Sequence, residues 1–359
     1  EIFEAVKKLK DVNLMTVSKE TGIKVSELAK LTASYLPSLY DQYYKQKKTE
    51  KVTAMVQTLA QNPTNLEDRL KAILAEMDSL SAVKIRPPTD MCEAYRKEIQ
   101  KRKTVEPLKY GLPTLDYITG GIRRQELTTI AARPGIGKTA FAWQVAFNLA
   151  IKHHKVQYYP LEMAGFQLME RLVCRETNLK CELLKTPSKM GQKETEVLDN
   201  FLELYGLTLK KYLDVVEGVR TIAEIRRHIE HYRPEIVIID QLTQLRENKR
   251  FNSIREQFSY MTNTLKALTM ELDIPIILLA QINRDGANAE PTLNQLKESG
   301  SIEEDSDNVI MLHQTGEIEN NFTPVDMIIR KQRNGAKDGK IQCAYQNERY
   351  IFREVGKST

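Results

Sequence analysis

The chain has 359 residues, a hydrophobic fraction of 41% and a net charge of +5. That length and composition suit a globular protein of about two domains, and the mild basic excess permits nucleic acid as a partner without requiring it. No apolar run nears the roughly 18 residues of a membrane span, no secretory leader is recognised, and four scattered cysteines with no C-x-x-C pair argue against disulfides and a zinc ribbon and for a reducing cytosol.

Residues 1–86 read as short helices. Leu28, Leu31, Tyr35, Leu36 and Leu39 share a helical face, as do Leu66, Leu70, Ile73, Leu74 and Met77. No catalytic constellation falls here, so a packing or assembly domain is expected. The chain opens at Glu1 without Met and already in helical pattern, and residues before it are expected to be missing. Arg86-Pro87-Pro88 breaks the pattern. Residues 90–103 then form one charged helix with a thin stripe, Met91, Tyr95 and Ile99, and i,i+4 pairs Glu93–Lys97 and Glu98–Arg102 on its wet face. So narrow a seam predicts either docking on a neighbouring subunit or a plain linker.

From Val105 the pattern becomes α/β. Apolar strand candidates at 127–132, 155–161, 236–240, 275–281, 308–312 and 325–330 alternate with helices, which predicts a mostly parallel sheet covered on both faces. Ligands of such sheets bind at the carboxyl ends of the strands, and the chemistry-bearing residues cluster there. The first strand runs into Ala132-Arg133-Pro134-Gly135-Ile136-Gly137-Lys138-Thr139 and then a helix that opens with Ala140. Strand, glycine-bearing loop and helix is the context of a phosphate-binding loop, although Ala132 stands where the general pattern has Gly. Backbone N–H groups of Gly135 to Thr139 would cradle phosphates, Lys138 would neutralise β- and γ-phosphate charge, and the Thr139 hydroxyl would hold Mg²⁺.

Three further strands end in polar groups. The strand before Asp240 has the form of the second nucleotide motif, in which the carboxylate holds Mg²⁺ through water, about 100 residues after the loop. Glu162 follows the 155–161 strand and suits a general base, or a solvated glutamate. Gln281 closes the 275–281 strand and suits a γ-phosphate sensor, or a strand cap. Lys331 and Arg333 follow a late strand, where they could reach the nucleotide of another subunit or form a solvated basic edge. Two polar loops, one containing Arg284 and the other Lys297, Glu298 and Gly300, suit the backbone phosphates of a single nucleic-acid strand or plain surface.

Several stretches together resemble the DnaB family of hexameric replicative DNA helicases, which carry a RecA-like motor. They are Ala132–Phe141, Pro160–Met163, Ile238–Leu242, Leu279–Arg284, Leu296–Asp307, Lys331–Gly335 and Asn347–Phe352. The resemblance spans about 107–356 strongly and 1–106 only by layout, where the first part of the family's N-terminal domain looks absent. It implies an α/β, RecA-like P-loop NTPase core over 107–359, a small all-helical N-terminal domain over 1–86 and a linker with a docking helix over 87–106. It implies ATP and Mg²⁺ as cofactors, held by Arg133, Pro134, Gly135, Ile136, Gly137, Lys138, Thr139 and Ala140, with Asp240 organising the metal. Glu162 matches the family's catalytic base and Gln281 its γ-phosphate sensor, while Lys331 and Arg333 match cations that act in trans. Arg284, Lys297, Glu298 and Gly300 match the DNA-holding segments, although the family more often has Arg where Lys297 stands, so that contact loses fork geometry. Single-stranded and fork DNA, a homo-hexamer, a primase and a helicase loader are the implied partners, in a cytoplasmic setting with 5′→3′ travel.

Overall fold

The computed structural model describes residues 91–104, 106–247, 249–282, 289–296, 300–335 and 339–355. The chain divides into two compact units, Glu1–Glu106 and Pro107–Thr359. The helices expected over 1–86 lie outside the described residues. In the first unit the described part is α1 (Met91–Thr104), where the Glu93–Lys97 pair closes at 2.7 Å on the exposed face and Tyr95 of the stripe is itself exposed.

The second unit carries nine described strands. In chain order it runs α2 (Pro113–Thr119), β1 (Leu127–Ala132), α3 (Lys138–Ala150), β2 (Val156–Pro160), α4 (Gly165–Thr177), α5 (Cys181–Lys185), α6 (Gln192–Tyr212) and β3 (Leu213–Val215). There follow α7 (Ile222–Tyr232), β4 (Ile236–Asp240), α8 (Ile254–Leu272), β5 (Ile276–Gln281), α9 (Gly300–Asp305), β6 (Asn308–Gln314), β7 (Phe322–Gln332), β8 (Lys340–Gln346) and β9 (Ile351–Glu354). They form one sheet in the order β3-β2-β4-β5-β1-β6-β7-β8-β9. The strands from β1 to β6 are mutually parallel, and β7, β8 and β9 add an antiparallel edge.

Strands buried on both faces read as unbroken apolar runs, and β4 shows why. Ile236 and Ile238 point into the layer built by α3, α4 and α6, whereas Val237 and Ile239 point into the layer built by α7 and α8. The expected strands therefore appear within one or two residues, apart from β7, which runs longer in both directions. Three strands were not anticipated. β3 is only three residues long and continues directly from α6, so no break in pattern announces it. β8 and β9 are half-buried; β8 alternates exposed and buried positions over its first half, and β9 is only four residues long, so neither reads as an apolar run.

The cysteines correct the sequence reading. Cys174 and Cys181 are joined as a disulfide with Cα atoms 5.6 Å apart. The left-handed turn at Asn178, which ends α4, folds the chain back and brings the start of α5 beside the end of α4. Cys343 is buried and not disulfide-bonded. Among the described residues no helix is long and apolar enough to cross a membrane.

Candidate functional site

The loop after β1 is shaped by two glycines. Gly135 (φ 86°) and Gly137 (φ 98°) are left-handed, and Gly137 is the residue from which α3 starts, its carbonyl accepting the first helical bond from Phe141 N–H at 2.9 Å. A side chain at Gly137 would be strained twice over, because a Cβ there would lie 3.0 Å from both the Phe352 and Tyr345 rings. Those rings stack on each other at 4.5 Å, and Phe352 meets Phe141 edge-on at 5.6 Å. Gln144 of α3 locks the same strand from both sides. Its amide donates to the Phe352 carbonyl (3.0 Å) and accepts from the Phe352 N–H (2.8 Å). The β8–β9 hairpin is thus the buttress of the phosphate loop. Neither Tyr345 nor Phe352 was given a role from sequence, and the close approach that defines it crosses some 200 residues of chain.

The neighbouring strands deliver the carboxylates. Pro160 pairs with Asp240, and Leu161 N–H donates to the Asp240 carbonyl at 2.7 Å, so Glu162 emerges two residues beyond the partner of Asp240, exposed to solvent. Asp240 itself is buried. Its Oδ2 accepts from the Tyr158 hydroxyl at 2.9 Å, and Oδ1 has no hydrogen-bond partner within the protein. Tyr158, packed edge-on against Trp143 at 5.1 Å, is a second residue that sequence reasoning missed. Its signal was the strand period, since Tyr158 and Pro160 share the face next to Asp240.

Burial raises the Asp240 pKa. The Thr139 hydroxyl, the Lys138 ammonium and Tyr158 oppose that rise, and the Glu162 charge adds to it. Burial also lowers the Lys138 pKa, against the pull of Asp240 and Glu162. Both groups are thus pushed toward neutrality by a site that offers each too little opposite charge. A triphosphate with a divalent ion supplies what both lack. An orphaned buried carboxylate oxygen beside a threonine hydroxyl is a hard-oxygen donor pair that fits Mg²⁺, an ion that takes few protein ligands and keeps phosphates and water as the rest. Among the described residues no group of three or more His, Cys, Asp or Glu could hold a metal alone.

Gln281, half-buried, pairs with Ala132 and so stands beside the mouth of the loop. Arg133 turns away from it, its guanidinium donating to the Ala289 carbonyl at 3.2 Å. Lys138, Thr139, Glu162, Asp240 and Gln281 therefore gather at one end of the sheet.

Lys331 and Arg333 do not join them. β7 runs antiparallel to β6, and Gln332 pairs with Asn308, whose β1 partner is Thr128. Both cations therefore sit at the amino end of β1, a strand length or roughly 16 Å from the phosphate loop. Lys331 Nζ donates to the carbonyls of Glu303 and Glu304 near the end of α9, and burial together with nearby Arg333 lowers its pKa. Arg333 binds Asp307 Oδ1 at 3.1 Å, and its side chain remains 57% exposed. Asp307 is fixed by Leu127 N–H at 2.8 Å and Lys266 at 2.6 Å. Of the expected DNA-holding residues, Arg284, Lys297 and Glu298 lie outside the described residues, and Gly300 is the first residue of α9.

A central parallel sheet, helices on both faces and a glycine loop feeding the first long helix define a RecA-like P-loop nucleoside triphosphatase. Residues 107–354 match the DnaB-like helicase C terminal domain. The replicative DNA helicase DnaB of Treponema pallidum is 34% identical over 266 residues, covering 72% of this chain and 58% of that protein. That of Geobacillus stearothermophilus is 30% identical over 393 residues, covering 97% of this chain and 85% of its own length. A solved DnaB-like replicative helicase, described with its interactions with primase, superimposes with a TM-score of 0.72 at 22% identity, over 98% of this chain and 90% of its own. The chain belongs to the DnaB-like family of replicative, ATP-dependent DNA helicases.

Proposed function

We propose that this chain is the repeating subunit of a homo-hexameric ring that encircles one DNA strand, hydrolyses ATP between subunits and unwinds the replication fork. The observation that carries this reading is the separation of the two cationic groups. Lys138 belongs to the phosphate loop at one end of the sheet, whereas Lys331 and Arg333 project from the other end, too far to serve the same nucleotide. A ring in which each subunit presents its Arg333 end to the next subunit's loop completes every site with parts from two chains.

In that site the loop N–H groups of Gly135 to Thr139 bind phosphate oxygens, with Arg133, Pro134, Ile136 and Ala140 shaping the loop, and Lys138 neutralises the β- and γ-phosphates. Thr139 and Asp240 hold Mg²⁺, which when bound neutralises charge developing on the phosphates. Glu162, exposed at the end of β2, accepts the proton of the attacking water. Gln281 hydrogen-bonds the γ-phosphate without adding negative charge, and Arg333 and Lys331 of the neighbour stabilise charge on the transferring group. Arg284 and the loop of Lys297, Glu298 and Gly300 hold DNA phosphates through their cations and backbone N–H groups, so grip is independent of sequence and weakens with salt. The α1 helix docks on an adjacent subunit, and the segment 1–86 receives a primase and a loader. Travel is 5′→3′, in the bacterial cytoplasm.

The test is ATP turnover with and without single-stranded DNA, with Lys138→Ala as the blank. Strong stimulation by DNA of any sequence is expected. Robust turnover indifferent to DNA would sink the reading in favour of a small-molecule kinase or a nucleotide-gated scaffold.

A further inference from the structure

The two carboxylate oxygens of Asp240 have opposite surroundings. Oδ2 accepts a hydrogen bond from the Tyr158 hydroxyl at 2.9 Å, and Oδ1 has no partner within the protein. The backbone on both sides of this contact is fixed by the sheet. Leu161 N–H donates to the Asp240 carbonyl at 2.7 Å, and Val216 N–H donates to the Tyr158 carbonyl at 2.9 Å. Tyr158 pairs with Ile238 and Pro160 with Asp240, so Tyr158 lies two residues upstream on the face that Asp240 shares, within reach of its carboxylate. What the sheet leaves free is rotation of the Asp240 side chain, and a carboxylate turned end for end exchanges its two oxygens.

The Tyr158 hydroxyl removes that freedom. Its ring is fully buried and is held edge-on by Trp143 at 5.1 Å. Trp143 belongs to α3, the helix whose first two residues are Lys138 and Thr139. One helix therefore carries Thr139 and braces the ring that orients Asp240, so both metal donors take their positions from α3. A phenol also donates without carrying charge at neutral pH, so it directs the carboxylate and leaves its negative charge to the ion. The same strand supplies a control. Tyr159 is equally buried on the opposite face, where its hydroxyl is shared between Gln157 Oε1 (2.9 Å) and the Ile225 carbonyl (3.3 Å), away from Asp240.

We infer that Tyr158 is a positioning residue for Mg²⁺: by holding Oδ2, it presents Oδ1 of Asp240 to the ion beside Thr139. This rests on the assignment of Thr139 and Asp240 to the metal. Residues that hold a metal's ligands in place typically change its affinity about 10- to 100-fold, because a donor that must first be oriented binds more weakly than one already aimed. A hydroxyl that only filled the core would leave the response to Mg²⁺ untouched.

The experiment titrates Mg²⁺ into the full chain with a fluorescent, non-hydrolysable ATP analogue and reads the Mg²⁺ concentration that half-tightens analogue binding, so no turnover is involved. It compares the wild type, Tyr158→Phe, Tyr159→Phe and Asp240→Asn. Tyr158→Phe should need about tenfold more Mg²⁺, and should bind the analogue as the wild type does once EDTA has removed the metal. Tyr159→Phe should keep the wild-type midpoint, and Asp240→Asn should lose most of the Mg²⁺ response. An unshifted midpoint in Tyr158→Phe beside an impaired Asp240→Asn would overturn the inference. Equal shifts in both tyrosine variants would overturn it too, by showing only the cost of removing a buried hydroxyl from β2. So would loss of metal-free binding in Tyr158→Phe, which would make the hydroxyl a support of the fold. A wild-type Mg²⁺ response in Asp240→Asn overturns the metal assignment itself, which is a separate and recognisable outcome.

Discussion

The two ends of the central sheet are built to opposite rules. At the carboxyl end, half-buried Lys138 and buried Asp240 are each pushed toward neutrality, with an orphaned carboxylate oxygen beside Thr139. At the amino end the charges are already paired: Arg333 with Asp307, Asp307 with Lys266 and Leu127, and Lys331 with the carbonyls of α9. The first end is incomplete without a ligand. The second is complete, yet it leaves the Arg333 side chain largely exposed. In the proposed ring, the open anion site and the exposed cation at opposite ends of one chain would be the two halves of a site that closes between copies.

The largest effect that would break this comparison is at the exposed cation. Arg333→Ala should lower DNA-stimulated turnover by about 10³-fold while changing nucleotide affinity only a few-fold, read by steady-state kinetics beside equilibrium binding. An alanine variant that turns over normally would remove the second half-site. Next, Glu162→Gln should bind nucleotide normally and lose roughly 10²-fold in turnover, which single-turnover hydrolysis would measure. Unchanged turnover would return Glu162 to the role of a solvated carboxylate. Gly137→Ala tests the buttress. The left-handed backbone and the 3.0 Å contacts with Tyr345 and Phe352 should cost about 1–3 kcal/mol of stability, seen as a lowered denaturation midpoint, whereas Gly135→Ala meets no atom within 4 Å and bears only the backbone penalty.

The smallest effect sharpens the contrast in charge. Because burial raises the folded-state pKa of Asp240 above the ordinary carboxylate value, the fold favours the neutral acid. The stability this group contributes is present in full at low pH and is lost as pH rises through its raised pKa. At neutral pH the ionised Asp240 therefore costs stability in the protein without nucleotide. Asp240→Asn should raise Tm slightly at pH 7 while abolishing Mg²⁺-dependent turnover, and the rise should vanish in acid. A Tm lowered at pH 7 would show that the Tyr158 hydrogen bond and the nearby Thr139 hydroxyl and Lys138 ammonium outweigh burial.

Much of the first end was legible in the sequence. Doubly buried parallel strands are continuous apolar runs with abrupt polar ends, so Arg133, Glu162, Asp240 and Gln281 announce where those strands stop. The register of Ala132 with Gln281 and of Pro160 with Asp240 turns those stops into neighbours. The phosphate loop was legible because its glycines and Lys-Thr pair are local chemistry. The buttress was not, since Phe352 and Tyr345 reach Gly137 from far along the chain and their strands are half-exposed, without an unbroken apolar run. Nor was Tyr158, whose hydroxyl function depends on a partner 82 residues away. The antiparallel turn of β7, which sends Lys331 and Arg333 to the far end, is a matter of topology that side-chain pattern does not encode. The disulfide was misread because spacing alone does not reveal that Asn178 turns the chain back on itself.

The central claim, that each nucleotide site is shared by two chains, has one direct test. Lys138→Ala and Arg333→Ala proteins, each inactive alone, are mixed under conditions that exchange subunits, and ATP turnover is measured as the ratio is varied. An interface that takes its loop from the Arg333→Ala chain and its arginine from the Lys138→Ala chain is intact, so turnover should reappear and peak near equal proportions. Mixtures that exchange subunits yet stay as inactive as either parent at every ratio would mean that both cations act on the nucleotide of their own chain, and would contradict the account.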